Sequence, residues 1–183
     1  MKLPIFLALS TLCLLLSSVN CKKPKTVTRT ELDKLPPVTQ TGANTFGCLI
    51  NGQAYIPKGS TGPQPNFYVI VDPSFNGDLE ISTYRLENGI MQGFSLSCYG
   101  VLSTGTFPIP NINGSHIVYA KKVGSNECHF VASSSNYKSG FLKITKYDLQ
   151  NGNVAGEFEV KLYDATISCD TIRITNGRFD YKL

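Results

Sequence analysis

The sequence predicts an all-β domain, an antiparallel sandwich of about nine or ten strands. Two observations predict it. Asn-Gly dipeptides occur at six places, and the segments between them alternate apolar with polar residues. Asn and Gly both tolerate the positive φ of a type I′ turn, so Asn-Gly between apolar runs marks β-hairpins. No segment shows the 3.6-residue apolar period of a helix.

The predicted strands are marked by residues, nearly all apolar, that occur at every second position along the chain. In chain order they are Phe46, Cys48 and Ile50; Ala54 and Ile56; Phe67, Val69 and Val71; Leu79 and Ile81; Phe94, Leu96 and Cys98; Ile117 and Tyr119; His129 and Val131 or Phe130 and Ala132; Leu142 and Ile144; Phe158, Val160 and Leu162; Ile172 and Ile174; and Phe179, Tyr181 and Leu183.

The clearest strand covers residues 157–162, where every second residue is apolar and its neighbours are charged. Such alternation is typical of a strand with one buried and one solvated face. The predicted domain spans residues 45–183, which is long enough to bury a substantial core. A lipocalin-like barrel is the alternative, although the Gly-x-Trp of that family cannot exist in a chain without Trp.

The first twenty residues have the composition of an export signal. Lys2 precedes an apolar stretch, residues 5–16, which only Ser10 and Thr11 interrupt. This stretch is shorter than the ~20 apolar residues that a membrane-spanning helix needs. The sequence therefore predicts a signal peptide over residues 1–20.

Residues 18–21, Ser-Val-Asn-Cys, resemble the lipobox of bacterial lipoproteins in the looser form of Bacteroidota. The resemblance implies cleavage before Cys21, lipid on its sulfur and a membrane-anchored protein of the cell envelope. Ser18 and Asn20 depart from the Leu and the Gly or Ala that the family prefers. A plain secretory signal, with Cys21 an ordinary thiol, is the alternative.

Residues 21–44 are expected to form a flexible basic tether behind the lipid. Prolines interrupt this segment, and its five basic residues outnumber two acidic ones. The cations are expected either to contact anionic head groups or to serve as a solvated spacer. Some Bacteroidota lipoproteins carry an acidic cluster just after the Cys that resembles a signal for export to the cell surface. The basic residues here depart from that pattern and favour an outer-membrane protein that faces the periplasm. From Thr45 on, eleven basic residues balance eleven acidic ones, and no nucleic-acid partner is expected.

Four cysteines follow Cys21 in the chain, and an even number in an exported protein predicts disulfides. We expect two bridges. Cys98 to Cys128 would link neighbouring strands, and Cys48 to Cys169 would tie the first strand to the last region. Three connectivities stay open, and buried thiols are the alternative. No Cys-x-x-Cys is present, so no metal site is expected.

Residues able to carry catalysis are few. The two histidines, His116 and His129, lie in no recognised catalytic motif. Acidic pairs occur at Glu157/Glu159 and Asp164/Asp170. We interpret the first pair as a solvated strand face. No catalytic residue and no cofactor is predicted.

Residues 39–52, TQTGANTFGCLING, resemble the opening of a family of small Bacteroidota lipoproteins of unknown function. Residues 105–107, 143–148, 156–158 and 175–180 resemble later landmarks of that family. The resemblance implies an exported, lipid-anchored β domain and brings no activity or site residues with it.

The function expected from these features is a non-catalytic binding or structural module for a glycan or another envelope protein. Loops at the ends of a sandwich, such as residues 57–65, are common recognition sites, although this loop could equally be a solvated connector. The alternative is a hydrolase that acts on glycan or peptide through an acidic residue or a histidine. Titratable groups that converge in a cleft would distinguish the two.

Overall fold

The computed structural model describes residues 29–109, 115–123, 126–131, 137–163 and 171–183. Within them, eleven strands form two antiparallel sheets. The strands are β1 (Thr45–Ile50), β2 (Gln53–Tyr55), β3 (Phe67–Asp72), β4 (Asp78–Glu87), β5 (Ile90–Cys98), β6 (Gly105–Ile109), β7 (Ser115–Val123), β8 (Asn126–Val131), β9 (Tyr137–Asp148), β10 (Asn153–Tyr163) and β11 (Ile172–Lys182). A single turn of 3-10 helix, Leu32–Lys34, precedes them.

The two sheets pack face to face as a β-sandwich, which confirms the predicted fold. The strand orders are β2-β1-β11-β10-β9-β6 and β3-β4-β5-β7-β8, so the described strands do not close into a barrel. Phe158 of the first sheet stacks on Phe94 of the second, with ring centroids 5.4 Å apart. Phe46 stacks on the same Phe158 at 5.6 Å. This aromatic stack joins the sheets because offset rings pack densely and exclude water.

Two of the Asn-Gly pairs form the two-residue hairpin turns that the sequence predicts. At the β4–β5 turn, Asn88 has φ 51° and Gly89 has φ 74°, as a type I′ turn requires. The pair at residues 51–52 joins β1 to β2 in the same way. The pairs at 76–77 and 151–152 lie in longer connections between strands. The pair at 113–114 lies outside the described residues.

The last pair, Asn176-Gly177, is not a turn between two strands as predicted. It is a bulge inside the eleven-residue strand β11, where the register with the neighbouring strands shifts. A Cβ at Gly177 would lie 2.5 Å from the Phe158 ring, so only glycine fits against this core residue.

One described strand, β6, was not predicted. It has five residues, includes Pro108 and pairs only with β9. Proline cannot donate to a β-ladder and is tolerated mainly on edge strands, so its presence weakened the strand signal here.

The predicted flexible tether is wrong for its described part, residues 29–44, because these residues pack on the sandwich. Leu35 is buried, and Pro36 lies so close to β1 that a Cβ at Gly47 would be 2.6 Å from its ring. The Pro36 carbonyl oxygen accepts a hydrogen bond from Arg178 Nη1 at 3.3 Å. Burial of an apolar side chain and a satisfied carbonyl hold this segment in place.

The segments that carry the family resemblance meet in space. Phe46 pairs with Phe179 across β1 and β11, and Gly156 pairs with the same Phe179 across β10. A Cβ at Gly156 would lie 2.7 Å from the Phe179 ring. Phe46, Gly156 and Phe179, each from a different one of these segments, therefore pack together inside the sandwich.

The two predicted disulfides are wrong. On β7, Cys98 lies opposite Ser115 and Cys128 lies opposite Lys121. These positions are six residues apart along the strand, about 20 Å, whereas a disulfide needs Cα atoms within about 7 Å. The Cys98 sulfur instead donates to the Tyr99 carbonyl oxygen at 3.9 Å.

Cys48 is a fully buried thiol of β1 rather than a partner of Cys169, which lies outside the described residues. Burial raises the pKa of the Cys48 thiol far above its usual range. No disulfide joins two described cysteines, and the disulfide that includes Cys128 has its partner outside them.

Candidate functional site

An open cleft of about 620 Å³ lies between the β1–β2 hairpin and the inner face of the five-stranded sheet. Strands β4, β5, β7 and β8 line one wall, and the hairpin lines the other. The segment before β1 adds Glu31 and Lys34, and the start of β11 adds Ile172. Residues far apart in the chain therefore share one concave surface.

The inner face of the five-stranded sheet becomes polar where it enters the cleft. Four buried residues form the last row of the packed core, directly opposite one another on adjacent strands: Thr83, Phe94, Tyr119 and Phe130. Two positions further along each strand, the next row on this face is Arg85, Gln92, Lys121 and Cys128. Since side chains alternate along a strand, this second row also points inward. We call it the polar row.

Arg85 of the polar row connects the two sheets. Its Nη1 donates to the Ala54 carbonyl oxygen of β2 at 2.8 Å, and its Nη2 pairs with the Glu87 carboxylate. Lys58 also pairs with Glu87, at 2.7 Å. These ion pairs, first with Lys58 and then with Arg85, hold the pKa of Glu87 below its usual range. Glu87 is therefore an ionised acceptor for two cations.

Glu31 closes the outer side of the β1–β2 hairpin. Its Oε2 accepts a hydrogen bond from the Ala54 amide of the edge strand at 3.0 Å, and its Oε1 pairs with Lys34. The hydrogen bond from Lys34, followed by that from Ala54, lowers the pKa of Glu31. An edge strand presents unpaired amides, and this carboxylate satisfies one of them. The segment before β1 is thus a wall of the cleft.

The floor of the cleft carries two buried tyrosine hydroxyls. Tyr55 Oη lies 3.4 Å from Thr83 Oγ1 and donates to the Gln92 carbonyl oxygen, also at 3.4 Å. Tyr119 Oη accepts a hydrogen bond from Gln92 Nε2 at 3.3 Å. Burial raises the pKa of both tyrosines, so both hydroxyls are neutral. Gln92 therefore hydrogen-bonds both tyrosines, Tyr55 through its backbone carbonyl oxygen and Tyr119 through its side-chain amide.

Lys121 is the cation of the polar row that has no carboxylate partner among the described residues. It is half-buried and lies between Gln92 and Cys128 across the sheet. The described lining of the cleft holds four cationic side chains and two carboxylates, Glu31 and Glu87. The site therefore has a net positive charge.

The loop at residues 57–65 contributes little to this site. Lys58 lines the cleft, and backbone hydrogen bonds on both of its sides hold it against β4. The other loop residues are mostly exposed and do not line it. The sequence thus pointed to a loop of which one residue reaches the site.

Of the titratable residues that the sequence singled out, those whose side chains the structure describes do not converge in the cleft. His129 is exposed on β8 and does not line it, and His116 lies in β7, opposite Ser97. Glu157 forms an ion pair with Lys143 at 3.8 Å on β10 and β9, and Glu159 is exposed. Asp164 and Asp170 lie outside the described residues.

Within the described ranges, no three His, Cys, Asp or Glu side chains are placed to share a metal ion. Nor does this part of the chain contain a helix both long and apolar enough to cross a membrane. Comparison with protein-family models, with curated proteins and with solved structures found no match to this chain.

Proposed function

We propose that this protein is a non-catalytic binding module of the cell envelope and that the cleft is its ligand site. The observation that carries the proposal is the change of the inner sheet face from apolar core to the polar row inside an open cleft of about 620 Å³. Small-ligand sites are concave, commonly ~300–1,000 Å³, with a few placed polar groups on an apolar base. This size favours a glycan segment of a few sugars over the broad surface of a protein partner.

The protonation of the cleft supports binding rather than general acid–base catalysis. The ion pairs that lower the pKa of Glu31 and of Glu87 keep both carboxylates ionised at neutral pH. A glycosidase needs one carboxyl with a raised pKa to protonate the leaving group. The pKa values of Glu31 and Glu87 are lowered instead.

The location proposed with this function is the envelope, with lipid on Cys21. Its support is the sequence of residues 18–21 behind an apolar stretch. The test is to compare the parent with Cys21→Ala in a bacterium that processes such signals. We expect an acyl mass on the N-terminal peptide of the parent alone, and loss of membrane partitioning in the variant. Equal partitioning, with no acyl mass on the parent, would mean that the chain is simply secreted.

The binding proposal is tested by NMR titration of the folded domain with a panel of envelope oligosaccharides, neutral and acidic. We expect chemical-shift changes centred on Gln92, Tyr119 and Lys121. Gln53 is exposed and lines the cleft, so Gln53→Trp should block these changes. Thr106→Trp, at an exposed position of β6 outside the cleft, is the matched control and should bind as the parent does.

Two results would overturn the proposal. Shift changes that Gln53→Trp leaves untouched would place the ligand elsewhere on the domain. Cleaved sugars in the titration sample would indicate a hydrolase, the alternative that the sequence left open.

A further inference from the structure

We propose that the ligand of the cleft is an acidic saccharide, and that the Lys121 ammonium binds its carboxylate. This inference rests on the proposed function, since it assigns a chemical class to the ligand of the same site.

Most charges of the cleft are already paired. Glu31 is paired with Lys34, and Glu87 accepts from both Lys58 and Arg85. Glu87 thus carries one negative charge against two positive ones, and Lys121 adds a further cation without a carboxylate among the described residues. A cleft with this imbalance attracts anions and disfavours a second cation.

The position of Lys121 makes it the contact for that anion. It stands on the inner face of β7, one row beyond the buried Tyr119, and is half-buried. A charged group at an inward position has lost part of its hydration, and a ligand anion replaces that hydration. Exposed Lys58, with its side chain 64% exposed, keeps its water and has Glu87 beside it.

The chemistry of the site favours a carboxylate over a phosphate. Arginine is the side chain that recognises phosphate through two parallel N–H donors. The guanidinium of Arg85 is already engaged, by the Ala54 carbonyl oxygen on one nitrogen and by Glu87 on another. The single ammonium of Lys121 that remains matches a single negative charge.

The surroundings of Lys121 fit a sugar ring. Gln92 lies directly opposite on β5 and brings a polar amide to the same row. Ile56 lines the other wall and is 37% exposed. A sugar ring has an apolar C–H face and polar hydroxyls at its edge. An apolar side chain can pack on the face while an amide hydrogen-bonds the hydroxyls.

The test compares a trigalacturonate with its methyl ester, which keeps the sugars and removes the charge. In titration calorimetry with the parent domain, we expect the acid to bind roughly tenfold more tightly than the ester, as for a charge-assisted hydrogen bond. Raising the salt from about 0.02 M to about 0.3 M should weaken binding of the acid alone, because salt screens the ion pair.

Lys121→Gln should remove the preference, so that the variant binds the acid no more tightly than it binds the ester. The matched control is Lys143→Gln, since Lys143 faces away from the cleft and pairs with Glu157. The urea midpoints of both variants show that each one is folded.

Failure of this inference differs from failure of the proposed function. Equal affinities of acid and ester for the parent, or a preference that survives Lys121→Gln, would overturn the acidic ligand and leave the cleft as a glycan site. A parent that binds neither the acid, nor the ester, nor any member of the panel above would overturn both.

Discussion

The Asp180 carboxylate of β11 is 1% exposed and fixes the segment that precedes the first strand. It accepts backbone hydrogen bonds from Thr41 at 2.9 Å and from Gly42 at 2.8 Å. Burial opposes ionisation of this group, but the hydrogen bonds from the Thr41 and Gly42 amides are stronger to the charged carboxylate than to the protonated acid, and they help to keep the pKa of Asp180 below its usual range. A buried charge is tolerated here because its acceptor sites are filled.

We predict that Asp180→Asn lowers the free energy of unfolding by about 1–3 kcal/mol at pH 7, the range for loss of charge-assisted hydrogen bonds. The folded-state pKa of Asp180 lies below its value in the unfolded chain. Its contribution is therefore complete above the unfolded-state pKa and is lost as the pH falls through the folded-state pKa. Urea unfolding from pH 7 to pH 2 should show the parent approaching the variant in acid. A constant gap over this range would contradict the assignment.

The Cys48 thiol should resist alkylation for as long as the domain is folded. It is fully buried in the core, and burial raises the pKa of the thiol, so reactive thiolate is scarce. We expect iodoacetamide to label Cys48 only in denaturant, without any reductant. Mass spectrometry of the Cys48 peptide decides this. A requirement for reductant would show that Cys48 is in a disulfide, as the sequence suggested.

At the scale of the element, the bulge in β11 depends on a close approach between Gly177 and Phe158. We predict that Gly177→Ala lowers stability by about 1–3 kcal/mol, the usual cost of overpacking a core. The added Cβ would lie 2.5 Å from the ring, and both residues are buried. Gly93→Ala is the matched control, because Gly93 also lies inside a strand without a positive φ, and a Cβ there would meet only the Thr83 carbonyl oxygen, at 3.9 Å.

A smaller residue opposite the bulge should relieve the contact. In a double-mutant cycle, Gly177→Ala should cost less in a Phe158→Leu background than in the parent. Equal costs would mean that the ring is not what excludes a side chain at Gly177.

The strands themselves could largely be predicted, because the alternation of apolar and polar residues and the residue types of turns are features of short segments of the sequence. Glu157 to Leu162 alternate strictly, and they form part of β10. The exceptions have physical reasons. Pro108 weakened the strand pattern of β6. Asn176-Gly177 has the residue types of a hairpin turn, but pairing with the neighbouring strands makes it a bulge inside β11. Tertiary pairing decided between turn and bulge, and one sequence does not contain that pairing.

At the scale of the whole molecule, the cleft could not be predicted because register creates it. Arg85 and Lys121 are on strands that do not touch, and Gln92 of β5 lies between them. The sequence did contain a signal for the site. Arg85 and Lys121 are each two positions from a buried residue of the same strand, Thr83 or Tyr119, and therefore point to the same face of the sheet. A charged residue at an inward position indicates either an ion pair or a binding site. Only the assembled sheets show which residues line it together.

The segment of residues 29–44 sets the limit of the folded unit. We predict that a chain that begins at Thr45 is less stable than one that begins at Arg29, by about 2–4 kcal/mol, because it loses burial of Leu35 and the amides that satisfy Asp180. Urea unfolding of the two chains measures the difference. The longer chain also keeps Glu31 on the Ala54 amide, so the shorter one should expose that edge to hydrogen exchange.

The same pair of chains tests the cause of this loss. Asp180→Asn should cost less in the chain from Thr45 than in the chain from Arg29, because the shorter chain has already lost the Thr41 and Gly42 donors. The coupling between truncation and substitution would then measure the contact itself. Equal stability of the two chains would instead mean that residues 29–44 are a tether, as the prolines and the charge of the sequence predicted. The cleft would then lose the wall that Glu31 provides.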